Sequence, residues 1–294
     1  MKQKSNIINR SLVGVVFVTV LVGSTIFGPV SFALLFAFIA IGGLLEFYRM
    51  MKLIHISPNY FLGILTGFII YLHFVIRAIF PTEQVFSDFS LWLALLSASF
   101  TLIYELFRKK ENPISNISAT LFGIIYTIVP FAFLIQIAHF KPFYEPRIIL
   151  SLFFLIWTND TFAYLSGSLF GKRKLMERIS PGKTWEGFIG GGVFTLILAF
   201  FLNDVFPVDF HWHMSRTDWM VIGLFVFLFG TLGDLIESMM KRFTGVKDSG
   251  KILGGHGGIL DRFDSLIFVV PFLYGYLFYF KANLPYLKGI LGLE

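Results

Sequence analysis

Residues 31–48 read SFALLFAFIAIGGLLEFY, and apolar stretches of this kind decide the fold class of the chain. A helix of about 20 such residues crosses the roughly 30 Å hydrocarbon layer of a bilayer. Comparable runs recur at residues 11–28, 31–48, 60–80, 89–107, 118–138, 148–170, 187–206, 218–238 and 264–281. The sequence therefore predicts an all-α fold, a polytopic integral membrane bundle of nine transmembrane helices.

The composition agrees with this class. Hydrophobic residues make up 56% of the 294 residues and charged residues only 14%, whereas a soluble domain has about 25% charged residues. Because the apolar runs leave no room for a separate soluble domain, we expect one integral membrane domain over residues 1–294. Within it, residues 1–140 are expected to be mainly scaffold and residues 141–294 to form the catalytic half. The absence of cysteine excludes disulfides and thiolate metal sites.

The basic residues predict the orientation. Short cytoplasmic loops retain Lys and Arg, and most of the 24 basic residues fall in one set of alternate loops, which includes the amino terminus. We therefore expect a cytoplasmic amino terminus. The net charge of +6 favours anionic partners, such as acidic lipid headgroups and phosphorylated metabolites, and no nucleic-acid-binding module is visible.

Two pairs of glycines lie four residues apart in apolar runs, Gly63 with Gly67 and Gly187 with Gly191. This spacing permits close helix contact. Packing within one chain is the favoured interpretation, and a homodimer is the alternative.

Polar residues enter the sixth run at residues 157–160, WTND. An ionisable group inside a span costs about 2.5–3.5 kcal/mol on insertion scales, so Asp160 should face a cavity or a partner. A buried structural hydrogen bond is the alternative. Asn159, Asp160, Tyr164 and Gly167 recur at helical spacing and predict one polar face.

Residues 180–187, SPGKTWEG, contain the Gly-Lys-Thr of a phosphate-binding loop. The full pattern fails, because Glu177 stands where a glycine is needed and no strand is predicted before it. Ser180, Lys183 and Thr184 still lie beside a helix start, where backbone N–H groups favour an anion. A capped, positively charged loop is the alternative.

Two acidic clusters lie at the ends of neighbouring predicted helices. Asp234 shares one helical stripe with Glu237, Ser238 and Lys241, and Asp261 shares a face with Asp264. If the two clusters face each other, they form the oxygen-only site that Mg²⁺ prefers. The alternative is that the second cluster only caps its helix.

Between these clusters, residues 238–264 read SMMKRFTGVKDSGKILGGHGGILDRFD. The glycines around His256 are Gly254, Gly255, Gly257 and Gly258. Such density lets the backbone approach phosphate oxygens, although a flexible loop is the alternative. Basic side chains that could hold phosphates are Lys241, Arg242, Lys247, Lys251 and Arg262.

This stretch, together with Asn159-Asp160 and residues 180–186, closely resembles the signature of the phosphatidate cytidylyltransferase (CDP-diacylglycerol synthase) family. The resemblance covers the carboxyl-terminal half clearly and the first half only as general hydropathy. It implies that CTP and phosphatidic acid react with Mg²⁺ as cofactor to give CDP-diacylglycerol and pyrophosphate. It further implies a multi-pass protein of the cell membrane with its active site on the cytoplasmic side.

The resemblance also implies residue roles. Catalytic roles fall to Asp234, Asp261, Lys241 and Arg262. Metal binding falls to Asp234, Asp261 and Asp264, with Asp160 as a further ligand or neighbour of the ligands. Substrate binding falls to Asn159, Asp160, Ser180, Lys183, Thr184, Ser238, Arg242, Lys247, Asp248, Lys251, His256, Gly257 and Gly258.

Two other functions remain alternatives. Another CTP-dependent membrane lipid kinase or nucleotidyltransferase would use the same metal and phosphate tools. An ion-coupled transporter would carry polar groups near the bilayer midplane in two related halves, whereas the charges here collect at one rim and in one half of the sequence.

Overall fold

The computed structural model describes residues 2–140, 143–205, 214–250 and 257–283, and for residues 2–13 it describes the backbone alone. The predicted site residues Lys251 and His256, with Gly254 and Gly255 beside them, lie outside the described residues.

Helices dominate the described ranges, and each of the nine predicted spans corresponds to one. They are α1 (Lys2–Phe27), α2 (Pro29–Leu53), α3 (Tyr60–Ile79), α4 (Gln84–Arg108), α5 (Pro113–Ala138), α6 (Pro146–Phe170), α7 (Trp185–Val205), α8 (Arg216–Phe243) and α9 (Leu260–Lys281). Within the described residues, eight helices are long and apolar enough to cross a membrane, and the apolar part of α1 is the shorter Gly14–Phe27. The prediction of an all-α polytopic membrane protein is confirmed.

The chain divides into two compact units. One comprises Met1–Pro146 and Lys241–Phe263, and the other comprises Arg147–Met240 and Asp264–Glu294. The division therefore falls inside α8 and α9, so each of these helices contributes to both units.

The core of the first unit forms around α2 and α5. Its fully buried side chains include Phe32, Phe36, Leu44, Phe47, Tyr48, Phe131, Leu134 and Ile135. The hydroxyl of Tyr48 donates to the carbonyl of Thr120 at 2.8 Å, and Gly63 lies directly against the Tyr48 ring. Gly67 lies against Ile128, so this glycine pair serves packing inside the chain.

In the second unit, glycines bring α6 and α7 into backbone contact. A Cβ added at Gly187 would lie 2.7 Å from the carbonyl oxygen of Ala163, and one at Gly191 would lie 2.8 Å from that of Asn159. The rings of Phe162 and Phe194 stack beside this seam with centroids 3.8 Å apart. The second glycine pair is thus also used within the chain, and the homodimer stays a prediction.

Helix α8 contains a π-helical turn, Val226–Gly230, directly before Thr231. Such a turn carries one residue more than regular α-helix and is frequent at functional sites. It sets the direction in which the polar stripe of α8 faces.

A short antiparallel hairpin stands where the sequence predicts a loop. Its strands are β1 (Lys174–Met176) and β2 (Ser180–Thr184), paired Lys174 with Thr184 and Met176 with Ser180. The expectation that no strand precedes the Gly-Lys-Thr segment is therefore wrong. Strands this short carry too little alternation of polar and apolar residues to be recognised.

Candidate active site

A cavity of about 430 Å³ opens in the second unit between α6, the hairpin, α7 and α8. Its polar lining includes six residues predicted from the sequence: Asn159, Asp160, Ser180, Lys183, Thr184 and Asp234. The rest of the lining includes Ser168, Gly182 and Thr231, which were not assigned a role, and the apolar residues Leu175 and Phe188. A cavity of a few hundred Å³ with convergent polar groups has the size and character of a small-molecule site.

The charged centre of this cavity is an ion pair. Lys183 Nζ lies 2.6 Å from Asp234 Oδ2, and the hydroxyl of Ser238 donates to the other carboxylate oxygen at 3.2 Å. This bond joins residues four apart on α8 and confirms that Asp234 and Ser238 share one face of the helix. The pair places an ammonium group and a carboxylate side by side at the wall of the cavity.

Hydrogen bonds between the hairpin region and α7 fix the strand that carries Lys183. The carboxylate of Glu186, in the first turn of α7, accepts N–H bonds from Lys172 and Arg173 at 3.0 and 3.2 Å. The hydroxyl of Thr184 accepts the N–H of Gly187 at 3.1 Å and so caps the start of α7. The hairpin is thereby fixed at both ends to the helix that follows it.

The close seam between α6 and α7 positions the other wall. Asn159 is buried, and its Oδ1 lies 3.5 Å from the hydroxyl of Thr195 on α7. Asp160 follows it at the cavity surface. The prediction that the ionisable group of α6 faces a cavity is confirmed.

Four carboxylates of the second unit share one electrostatic environment. The negative charge of the Asp264 carboxylate is repelled by those of Asp160, Asp234 and Glu237. Within the described residues, however, no three His, Asp or Glu side chains converge as a metal-binding group. Asp261 belongs to the first unit, so the predicted approach of Asp234 and Asp261 stays a prediction.

The signature stretch forms a second polar cluster in the first unit, centred on Asp261. Its Oδ1 accepts a bond from Lys241 Nζ at 2.6 Å, in a pair whose side chains are each only 12% exposed. Its Oδ2 accepts the N–H groups of Ser249 and Gly258 at 2.9 and 2.7 Å. Gly257 has φ +83°, and a Cβ there would lie 2.6 Å from the same oxygen. Asp261 therefore organises this segment instead of only capping α9.

The remaining charges predicted to bind substrate lie at the surface. Arg242, Lys247, Asp248 and Arg262 are exposed. Exposure leaves the three cations accessible to an anionic ligand, and the predicted roles of all four residues stay predictions.

Sequence reasoning missed Glu46, which lies in the half predicted to be mainly scaffold. It is fully buried in α2, and its Oε2 accepts bonds from Ser249 Oγ and from the N–H of Leu260, both at 3.0 Å. The available signal was a carboxylate inside an apolar span, which is costly to bury and hence commonly functional.

These features define a class of protein: a multi-pass membrane protein with a polar cavity lined by a lysine, carboxylates and hydroxyl groups. Comparison with known proteins is more specific. The chain belongs to the cytidylyltransferase family, whose model matches residues 8–280.

Individual relatives agree. The chain is 36% identical over 267 residues to the phosphatidate cytidylyltransferase of Bacillus subtilis, covering 90% of this chain and 95% of that protein. It is 32% identical over 281 residues to that of Haemophilus influenzae, covering 90% and 96%. It is 43% identical over 188 residues to that of Staphylococcus aureus, covering 61% and 66%.

Proposed function

We propose that the chain is a CTP:phosphatidate cytidylyltransferase, which transfers CMP from CTP to phosphatidic acid and releases pyrophosphate. The observation that carries this proposal is the cavity in which Lys183, Asp234 and Asp160 meet the hydroxyls of Ser180 and Thr184. The names of relatives that match nearly the whole chain give the substrate class.

The surroundings of the cavity suit a lipid substrate. Beside the lining residues Tyr164 and Ser168, α6 exposes the large apolar side chains Leu165, Leu169 and Phe170. In a bilayer these side chains face acyl chains. A phosphatidic acid molecule could therefore bring its headgroup to the cavity while its tails remain in the hydrocarbon layer.

The reaction needs alignment more than proton removal. A phosphate monoester such as that of phosphatidic acid has a second pKa of about 6, so its phosphate oxygens are already ionised at neutral pH. One phosphate oxygen of the lipid forms a bond to the α-phosphorus of CTP. The bond between the α-phosphorus and the oxygen that bridges it to the β phosphate breaks, and the β and γ phosphates leave as pyrophosphate. Lys183 would neutralise phosphate charge as the two anions approach each other, and the hydroxyls of Ser180 and Thr184 would orient them.

Magnesium fits the donor chemistry of the site. Asp160, Asp234 and Asp264 offer only oxygen donors, as Mg²⁺ prefers, and they interact with one another electrostatically. Asp234 and Asp264 would hold the ion, with Asp160 nearby. When bound, magnesium would supply charge neutralisation for the triphosphate and the leaving pyrophosphate.

The proposal includes a location. We place the protein in the cell membrane with the cavity on the cytoplasmic side, where CTP is available. The basic residues of the hairpin region, including Lys172, Arg173 and Lys174, support this side because short cytoplasmic loops retain Lys and Arg.

The position of the label in CTP tests the reaction. Purified protein is incubated with phosphatidic acid vesicles, Mg²⁺, and CTP labelled at either the α or the γ phosphate. We expect the α label in a lipid product and the γ label only in pyrophosphate. Transfer of the γ label to lipid would identify a kinase instead. An α label that enters only a product made from another lipid or a sugar phosphate would contradict phosphatidic acid as the substrate.

A further inference from the structure

Glu46 contacts the segment between α8 and α9 at Ser249 and at the first residue of α9, Leu260, although it lies more than two hundred residues earlier in the chain. Ser249 Oγ and the N–H of Leu260 both donate to its Oε2 at 3.0 Å. Leu260 is the first residue of α9. Because the first N–H groups of a helix have no partner within it, a carboxylate at this place both satisfies a donor and meets the positive end of the helix.

The face of α2 beside Glu46 carries two glycines that leave space for the segment. Gly42 and Gly43 lie one turn before Glu46. A Cβ at Gly42 would collide with the side chain of Ile259, and one at Gly43 would lie 3.1 Å from Leu260 Cδ2. The two glycines therefore let the start of α9 approach α2 closely enough for the Glu46 carboxylate to reach Leu260.

Glycines in the segment itself also allow it to lie close to Glu46. A Cβ at Gly250 would collide with Oε1 of Glu46, and one at Gly258 would collide with the carboxylate and with Ser249 Oγ. Neither position has a positive φ, so the lack of a side chain is explained here by the space that Glu46 occupies and not by backbone conformation.

The same segment fixes Asp261. Ser249 places its N–H 2.9 Å and its Oγ 3.0 Å from Asp261 Oδ2, and Gly258 donates its N–H to that oxygen. Lys241 holds the other oxygen. Ser249 therefore contacts both carboxylates, and Glu46 can position Asp261 by holding Ser249 and the start of α9.

We propose that Glu46 is a positioning residue: from α2 it holds Ser249 and Leu260 so that Asp261 and Lys241 keep the geometry required for nucleotidyl transfer. This inference rests on the proposed function for the roles of Asp261 and Lys241. The positioning itself is a property of the free protein and can be measured without substrate.

The test compares amide hydrogen exchange and kinetics in Glu46→Ala, Glu46→Gln and wild type. The N–H of Leu260 bonds directly to Glu46, so in Glu46→Ala we expect its exchange to quicken about tenfold, the effect of losing one hydrogen bond. We expect kcat to fall about a hundredfold, as for a displacement of about 1 Å at a reacting group, with KM for CTP changed less than about threefold. Glu46→Gln keeps a carbonyl acceptor and should retain most of the protection and of kcat.

Glu105→Ala is the matched control. Glu105 is also a buried glutamate of the first unit, but its partners are Arg108 and Asn116. We expect this variant to leave the exchange of Leu260 and kcat unchanged. Unaltered exchange at Leu260 in Glu46→Ala, or equal acceleration in both alanine variants, would overturn the proposal.

Should Glu46→Ala fail to fold, Glu46→Asp decides instead. Its carboxylate is drawn back by one methylene, so partial loss of Leu260 protection is expected and full protection would overturn the inference. Because exchange is measured without CTP or lipid, a protein that makes no CDP-lipid would refute the proposed function and leave this result standing.

Discussion

At the scale of single residues, two glycines of the signature segment lie where a neighbouring side chain leaves no space for a Cβ atom. Gly250 lies against Glu46, whose carboxylate occupies the space that a Cβ would need. Gly258 has the same neighbour and, in addition, the hydroxyl of Ser249. The glycine at each position is thus explained by a particular contact. That contact can be tested by substituting the glycine and its neighbour together.

We predict that Gly250→Ala lowers activity and that Glu46→Asp partly restores it. The added methyl group overpacks the contact, at a typical cost of about 1–3 kcal/mol, and the shorter acid makes room for it. Activity and thermal stability of the two single variants and the double variant form the cycle to be measured. Effects that simply add would show that Gly250 and Glu46 are independent.

The carboxylates predicted to hold magnesium give a second prediction. Asp234→Asn and Asp261→Asn should each reduce turnover by a factor on the order of 10²–10³, as expected when a group that stabilises transferred charge is lost. Membrane insertion should be unchanged in both variants, and Asp234→Asn, whose side chain is partly exposed, should keep a melting temperature close to that of wild type. Asp261→Asn should also lower the melting temperature, because it removes the charge that pairs with the largely buried Lys241 ammonium group. Activity near that of wild type in either variant would remove that residue from the metal site.

At the scale of secondary-structure elements, hydropathy predicted all the helices but not all their ends. The eighth run was predicted to end at residue 238, whereas α8 continues to Phe243, and the ninth was predicted to begin at 264, whereas α9 begins at Leu260. Both extensions carry charged residues, including Lys241 and Asp261. Hydropathy marks only the part of a helix inside hydrocarbon, so it could not find polar helix ends or the hairpin.

The α6–α7 seam leads to a prediction at this scale. Gly191→Ala should lower the melting temperature by about 2–6 °C, because its Cβ would lie 2.8 Å from a backbone oxygen of Asn159 that has little freedom to move. Binding of CTP should weaken as well, since Asn159 lies on the cavity wall. Thermal unfolding and CTP titration measure the two effects.

Gly275 is the control for this substitution. It also lies in a helix of the second unit, and a Cβ there would meet no atom within 4 Å. Gly275→Ala should therefore leave the melting temperature unchanged or raise it slightly, as alanine favours helix over glycine. Equal destabilisation by both substitutions would show that the seam does not depend on close contact.

At the scale of the whole molecule, the sequence predicted part of the cavity lining but missed a contact between segments that lie far apart in the chain. Asn159, Asp160, Lys183 and Asp234 were chosen as polar residues in or beside apolar spans, and all four line one cavity. Glu46 was missed because its partners Ser249 and Leu260 lie far away in the sequence. Local spacing predicts which face of a helix is polar, but it contains no information on which distant segment meets that face.

Orientation in the membrane is the last prediction, and the lack of cysteine makes it direct to test. In intact cells, a membrane-impermeant maleimide should label Glu83→Cys, which lies in the turn between α3 and α4. It should label Lys172→Cys, beside the hairpin, only after the cells are permeabilised. The reverse pattern would place the cavity outside the cytoplasm and contradict the proposed access of CTP.

The π-helical turn at Val226–Gly230 bears on how the family's sequences are aligned. Each residue of an α-helix turns the chain by about 100°, so a relative with one residue fewer here would present a different side of α8 unless it compensated elsewhere. A gap of one position between residues 226 and 230 in a relative's aligned sequence should accordingly be treated as a real structural difference. It would identify enzymes in which the counterpart of Asp234 has to be sought one step along the chain.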